Sequence, residues 1–149
     1  MRNIVVFLIV YCSCTASLFA QEWRSDWNAA QVEAKQINKK IILVFSGSDW
    51  CIPCIKLEKE IWKSPAFIQY AQKHYVLFRA DFPKRKKNKL PETIQQLNEG
   101  LASEYNPKGY FPLVVVLDSV GEIKGQLGYE KITPEAYICL LYTSPSPRD

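Results

Sequence analysis

The sequence is short of what most catalytic chemistries need. It holds one histidine, His74, among 149 residues, and past the apolar N-terminal stretch it has no second closely spaced cysteine pair, so a four-ligand zinc site lacks donors. His74 falls near the end of an expected helix, where a solvated imidazole suits the dipole. There is no H-E-x-x-H, no G-x-S-x-G and no phosphate-binding loop, which leaves metalloprotease, serine-hydrolase and nucleotide chemistry without a foothold. No internal repeat or long linker divides the chain. The apolar run 4–10 is too short to span a bilayer, which takes about 20 residues. With Arg2 before it and small residues after, it reads as an export signal. We expect residues 1–20 to be that signal, with cleavage after Ala20. Cleavage after Ala16, lipidation at Cys14 after Ser13 and a retained anchor are the alternatives.

Cysteine is the residue whose count changes on inspection. There are five, but Cys12 and Cys14 belong to the signal. Cys139 opens the stretch 139–149, which reads as the translation of a transposase-type sequencing adapter. We treat that stretch as read-through rather than native sequence, so the last helix is expected to be truncated at 138. The domain proper is then 21–138, long enough for one core of its own. Its cysteines are Cys51 and Cys54, in Trp50-Cys51-Ile52-Pro53-Cys54. A structural bridge is the plain alternative, but such bridges usually close longer loops and come in several pairs. The thiolate is the nucleophile, and a cysteine at the first turn of a helix faces unpaired N–H groups that favour the anion. The second cysteine lies one turn on, close enough to resolve a mixed disulfide.

The remaining pattern alternates. Asp26 can cap a helix running through Ala30, Ala34 and Ile37 to Lys39. Residues 41–45 form a continuous apolar run, as in a strand buried on both faces. The cysteine pair opens a helix with Leu57 and Ile61 toward the core, and Ser64-Pro65 restarts it. Strands are expected at 75–80, 113–117 and 123–127, the last two as a hairpin. A helix from Pro91 runs through Ile94, Leu97 and Leu101, and Thr133-Pro134-Glu135 starts the last one. This order predicts an α/β sandwich with helices on both faces of a mixed sheet. Lys84, Arg85, Lys86, Lys87 and Lys89 make one strongly basic loop in a chain of net charge +4. That loop is either solvated or able to dock an acidic partner or anionic lipid; nothing points to nucleic acid.

These pieces resemble the thioredoxin superfamily: the run 41–45, Trp50-Cys51-Ile52-Pro53-Cys54, Phe111-Pro112 before a strand, and Gly121 in the hairpin. The likeness is greatest to exported thioredoxin-like proteins, through Asn38-Lys39-Lys40, residues 46–51 and Asp81-Phe82-Pro83. The resemblance implies a three-layer α/β/α fold with a central mixed sheet. It implies Cys51 as the exposed nucleophile, Cys54 as the buried resolving thiol, and a redox disulfide between them. It also implies Trp50, Pro53, Phe111 and Pro112 as substrate contacts. Trp50 would shield the pair and offer substrate a flat apolar surface, and Pro112 would be the cis-proline. No cofactor and no metal are implied. Phe45 departs from the pattern, standing where many members keep a buried proton-relay acid, and Leu113 stands where Thr often follows the proline. Asp49 and Glu58 are then relay candidates by proximity, with solvated surface carboxylates the plainer reading. The expected activity is reduction of protein disulfides by an exported, periplasmic monomer recharged by a membrane electron donor. A binding or chaperone module that holds clients without redox turnover is the alternative.

Overall fold

A computed structural model describes residues 22–143; the expected signal, Cys14 and residues 144–149 lie outside them. The chain runs β1 (Trp23–Arg24), α1 (Trp27–Gln36), β2 (Lys40–Ser46), α2 (Ile52–Leu57), α3 (Pro65–His74), β3 (Tyr75–Asp81), α4 (Glu92–Tyr105), β4 (Leu113–Leu117), β5 (Ile123–Leu127) and α5 (Pro134–Thr143). A π-helical turn, Glu58–Trp62, joins α2 to α3, and a 3-10 turn, Lys86–Asn88, lies in the basic loop.

The helices start where their caps dictate. Asp26 accepts from the Ala29 N–H at 2.9 Å, and Ser64 accepts from the Phe67 N–H at 3.2 Å ahead of Pro65, each satisfying an otherwise unpaired donor. α1 stops at Gln36 because Asn38 takes a left-handed φ of 51°, a helix-ending conformation that asparagine tolerates. The expected extension through Ile37 to Lys39 is therefore corrected, and Ile37 is left exposed.

The five strands lie in the order β1-β3-β2-β4-β5. β1 and β2 flank β3 in parallel, while β4 is antiparallel to both β2 and β5. Strand alternation sends consecutive residues to opposite faces, and β2 shows the result. Ile41, Leu43 and Phe45 join Trp27, Ala30, Leu101 and Tyr105 in one core layer beneath α1 and α4. Ile42 and Val44 join Leu57, Ile61, Phe67 and Tyr137 in the other, beneath α2, α3 and α5. Each fully buried aliphatic side chain contributes about 1.5–3 kcal/mol.

Trp62, at the end of the π turn and 2 % exposed, centres the second layer. Its ring lies 4.5 Å from that of Phe67, 5.6 Å from Tyr137 and 6.0 Å from Trp23. β1 is held from both sides: Arg24 makes a two-bond pair with Glu33 of α1, and Arg79 of β3 stacks its guanidinium over Trp23 at 4.3 Å. α5 continues past residue 138 to Thr143. Leu141, in the stretch set aside at the sequence level, is 2 % exposed and packs into the second layer.

Candidate functional site

Cys51 is the N-cap of α2, with Pro53 in the first turn where no N–H is needed. It is joined to Cys54 in a disulfide whose Cα atoms are 5.2 Å apart. The Cys51 Sγ also accepts from the Cys54 N–H at 3.3 Å. This explains one correction. In the disulfide form Cys51 is no more exposed than Cys54, since both residues are 4 % exposed. As an N-cap, Cys51 turns its side chain back over the first turn instead of out to solvent. Position still distinguishes the two, because it is Cys51 that meets the helix's donor end.

The lead-in to Cys51 is tied to the far end of β3 and the basic loop by bonds that span more than thirty positions. Ser46 O accepts the Phe82 N–H at 2.8 Å. Ser48 donates to Asp81 through N at 2.9 Å and Oγ at 2.5 Å. Asp49 accepts from the Lys84 N–H at 2.9 Å, the Arg85 N–H at 3.0 Å and the Asn88 amide at 2.9 Å. The backbone donor of Lys84, above all, holds the Asp49 carboxyl below its ordinary pKa.

Trp50 donates Nε1–H to Phe82 O at 2.7 Å and meets Phe111 edge to face at 5.4 Å. Its ring lies against Gly47, where a Cβ would collide with the indole. The Lys84 ammonium sits 3.9 Å above the ring centroid, a cation–π contact. The expected flat apolar surface of Trp50 thus carries an ammonium over one face of its ring.

The Phe111–Pro112 peptide bond is cis. Pro53, Tyr110, Phe111, Pro112, Gly128 and Tyr129 line a shallow groove beside α2. Tyr129 donates its O–H to Glu60 at 2.6 Å there. Of the four expected contact residues, Pro53, Phe111 and Pro112 share this groove, whereas Trp50 lines a separate cavity that it shares with Phe111.

Neither relay candidate is a free surface carboxylate. Asp49 is the latch of the basic loop, and Glu58 pairs with Arg79 at 2.5 Å, both about a quarter exposed. The buried polar side chains among the described residues are Ser46, Asn98 and Asn106; none is an acid. Phe45 is fully buried in the layer beneath α1 and α4. His74 stacks on Tyr70 at 4.3 Å, and no group of three metal-ligating side chains occurs among the described residues.

Sequence reasoning missed the latch role of Asp49, the Tyr129–Glu60 bond and the buried Asn98, whose amide donates to Asp81 O at 2.9 Å. Only the position of Asp49, just before the redox motif, singled it out, and its partners are too distant in sequence for any local signal.

Comparison with known proteins agrees with this geometry. The chain is 37 % identical over 117 residues to disulfide bond reductase DsbH of Chlamydia pneumoniae, covering 78 % of this chain and 68 % of that protein. It is 34 % identical over 83 residues to thioredoxin-related protein DsbJ of the same organism, covering 56 % of this chain and 23 % of DsbJ. A solved DsbH oxidoreductase structure superposes with a TM-score of 0.77 at 32 % identity, covering 85 % of each chain. A model of the thioredoxin-like family matches residues 22–119, and the chain belongs to that family.

Proposed function

We propose that this protein is a thiol–disulfide oxidoreductase that reduces protein disulfides through Cys51 and Cys54. The observation that carries this reading is the Cys51–Cys54 disulfide at the start of α2, with the Cys51 sulfur facing a helix N–H. Its presence in a chain 37 % identical to a disulfide bond reductase supports the direction.

The cycle starts from the dithiol. The Cys51 thiolate attacks one sulfur of a client disulfide, forming a mixed disulfide and releasing the other client sulfur as a thiolate. Cys54 then attacks the Cys51 sulfur, which breaks the mixed bond, releases the second client thiol and restores the Cys51–Cys54 disulfide. The client gains two electrons and two protons. With no buried acid among the described residues, the Cys54 proton passes to water or to the departing client thiolate. Pro53, Phe111 and Pro112 contact the client in the groove, and Trp50 shields the sulfurs from the other side.

In this reading the protein is exported, works as a monomer without cofactor or nucleic acid, and is recharged by a membrane electron donor. No helix among the described residues is long and apolar enough to cross a membrane. Residues 1–20 act as the export signal, and 139–149 are foreign to the native sequence.

The deciding measurement is the reduction potential of the Cys51–Cys54 pair in a dithiol redox buffer. A value near about −270 mV supports a reductase, whereas one near about −120 mV overturns that direction in favour of an oxidant. Cys54→Ser should trap a client mixed disulfide on Cys51. A variant that instead keeps full turnover would remove Cys54 from the cycle.

A further inference from the structure

Against Trp50, the residue before Cys51, lies a cavity that the reaction above does not use. It has a volume of about 460 Å³, and Trp50, Phe82, Leu90, Asn98 and Phe111 are among its walls. The volume falls in the range of about 300–1,000 Å³ typical of binding pockets. Phe111 separates it from the Pro112 groove and belongs to both. Phe82 and Phe111 meet edge to face at 5.4 Å, as do Trp50 and Phe111. The apolar wall therefore runs unbroken to the residue preceding Cys51.

Two further observations define the occupant. First, Lys84, Arg85, Lys86, Lys87 and Lys89 surround this end of the molecule, and Lys84 and Lys89 line the cavity itself. Among the described residues none of these five cations forms an ion pair. The acids on the wall are Asp81 and Glu99, and both Asp81 oxygens are held by Ser48. Positive charge dominates the mouth, and Asp49 fixes the loop that carries it. Second, Asn98 is 2 % exposed, and its Oδ1 has no hydrogen-bond partner. A buried acceptor without a donor is unfavourable, and a ligand that brings an O–H or N–H relieves it.

We propose that this cavity is a specificity pocket for the client protein. It receives a tyrosine or tryptophan side chain near the client's reactive cysteine, while adjacent aspartate or glutamate residues meet the basic loop. The ring fills the apolar walls, its polar hydrogen serves Asn98, and the acidic neighbours meet cations that form no ion pair among the described residues. This rests on the oxidoreductase reading and names the clients it selects: acidic, aromatic segments beside a disulfide.

Binding can be tested apart from redox turnover with the full chain in its oxidised state and a cysteine-free Glu-Tyr-Glu peptide. In an amide chemical-shift titration, Phe82, Leu90 and Asn98 should move. Affinity should fall about tenfold when salt rises from about 50 to about 500 mM, and by a similar factor in R85Q/K86Q/K87Q, whose sites are exposed. A Lys-Ala-Lys peptide should bind at least about tenfold more weakly. Absence of shifts, shifts confined to the Pro53–Tyr129 groove, or equal binding of the two peptides would each overturn the pocket. Reduction of dithionitrobenzoate is measured in parallel. If that fails while the peptide still binds, the oxidoreductase reading falls and the pocket stands.

Discussion

Residues 41–45 and 46–50 are consecutive on the way to the redox pair, and held by opposite means. The first segment is apolar and fully buried, bonded to its neighbours through the backbone ladders of β2 with β3 and β4. The second is held by a few directional bonds, from Ser46, Ser48, Asp49 and Trp50 to residues between Asp81 and Asn88. Packing spread over many contacts tolerates exchange among apolar residues of similar volume. A latch made by one carboxylate does not. The difference teaches where the site gets its stability and where it gets its shape: stability from the strand, shape from the lead-in.

The sharpest way to break that contrast is at Phe45. Phe45→Ala should lower unfolding free energy by about 3–5 kcal/mol, read by urea denaturation. Phe45→Leu should cost about 1.5 kcal/mol or less and leave the pH profile of Cys51 alkylation in the reduced protein unmoved. A displaced profile would show that Phe45 tunes the thiol as well as filling space.

Asp49→Ala acts on the other segment. Trypsin should cleave at Arg85, Lys86 and Lys87 several-fold faster than in the parent, with the far-ultraviolet circular dichroism unchanged. The pH dependence has a definite sign. The folded-state pKa of Asp49 is depressed, so the latch is fully made above the ordinary carboxylate value of about 3.9. It is lost as pH falls below that value and through the depressed one. The amide signals of Lys84 and Arg85 should therefore hold their positions until that acid range. Loss of the signals near neutral pH would mean that Asp49 does not order the loop.

The smallest effect is expected outside both segments. Glu58→Gln removes a partly exposed pair with Arg79, worth about 0.2–1 kcal/mol. Dithionitrobenzoate reduction should not change. A large loss of turnover would restore Glu58 as a proton relay and undo the view that no carboxylate serves the sulfurs.

The same contrast explains how much was legible in the sequence. β4 and β5 fall where they were expected, β3 is one residue longer at its end and β2 one residue longer at each end, because burial on a strand leaves a continuous or alternating pattern. Asp26 and Ser64 cap as expected because a cap and its helix are neighbours in sequence. β1 was not legible, since two residues carry no period and exist as a strand only through pairing with Leu77 and Phe78. The π turn was hidden for a similar reason: Trp62 settles at the centre of its layer through rings from Trp23, Phe67 and Tyr137. Within the site, the cysteine pair and Phe111-Pro112 announce themselves by local spacing. Asp49, Asn98 and the covered face of Trp50 depend on partners that the fold supplies later in the chain.

Gly47 carries a consequence of its own. It contributes no functional group, yet the Trp50 indole rests where its side chain would be and is pinned there by the bond to Phe82 O. Any side chain at that position must push out the indole or tear it from its acceptor. The fragility of the catalyst thus extends to a residue with nothing to donate, accept or oxidise. Inheritance of the sulfurs alone, without an empty space four residues earlier, does not transmit a working site.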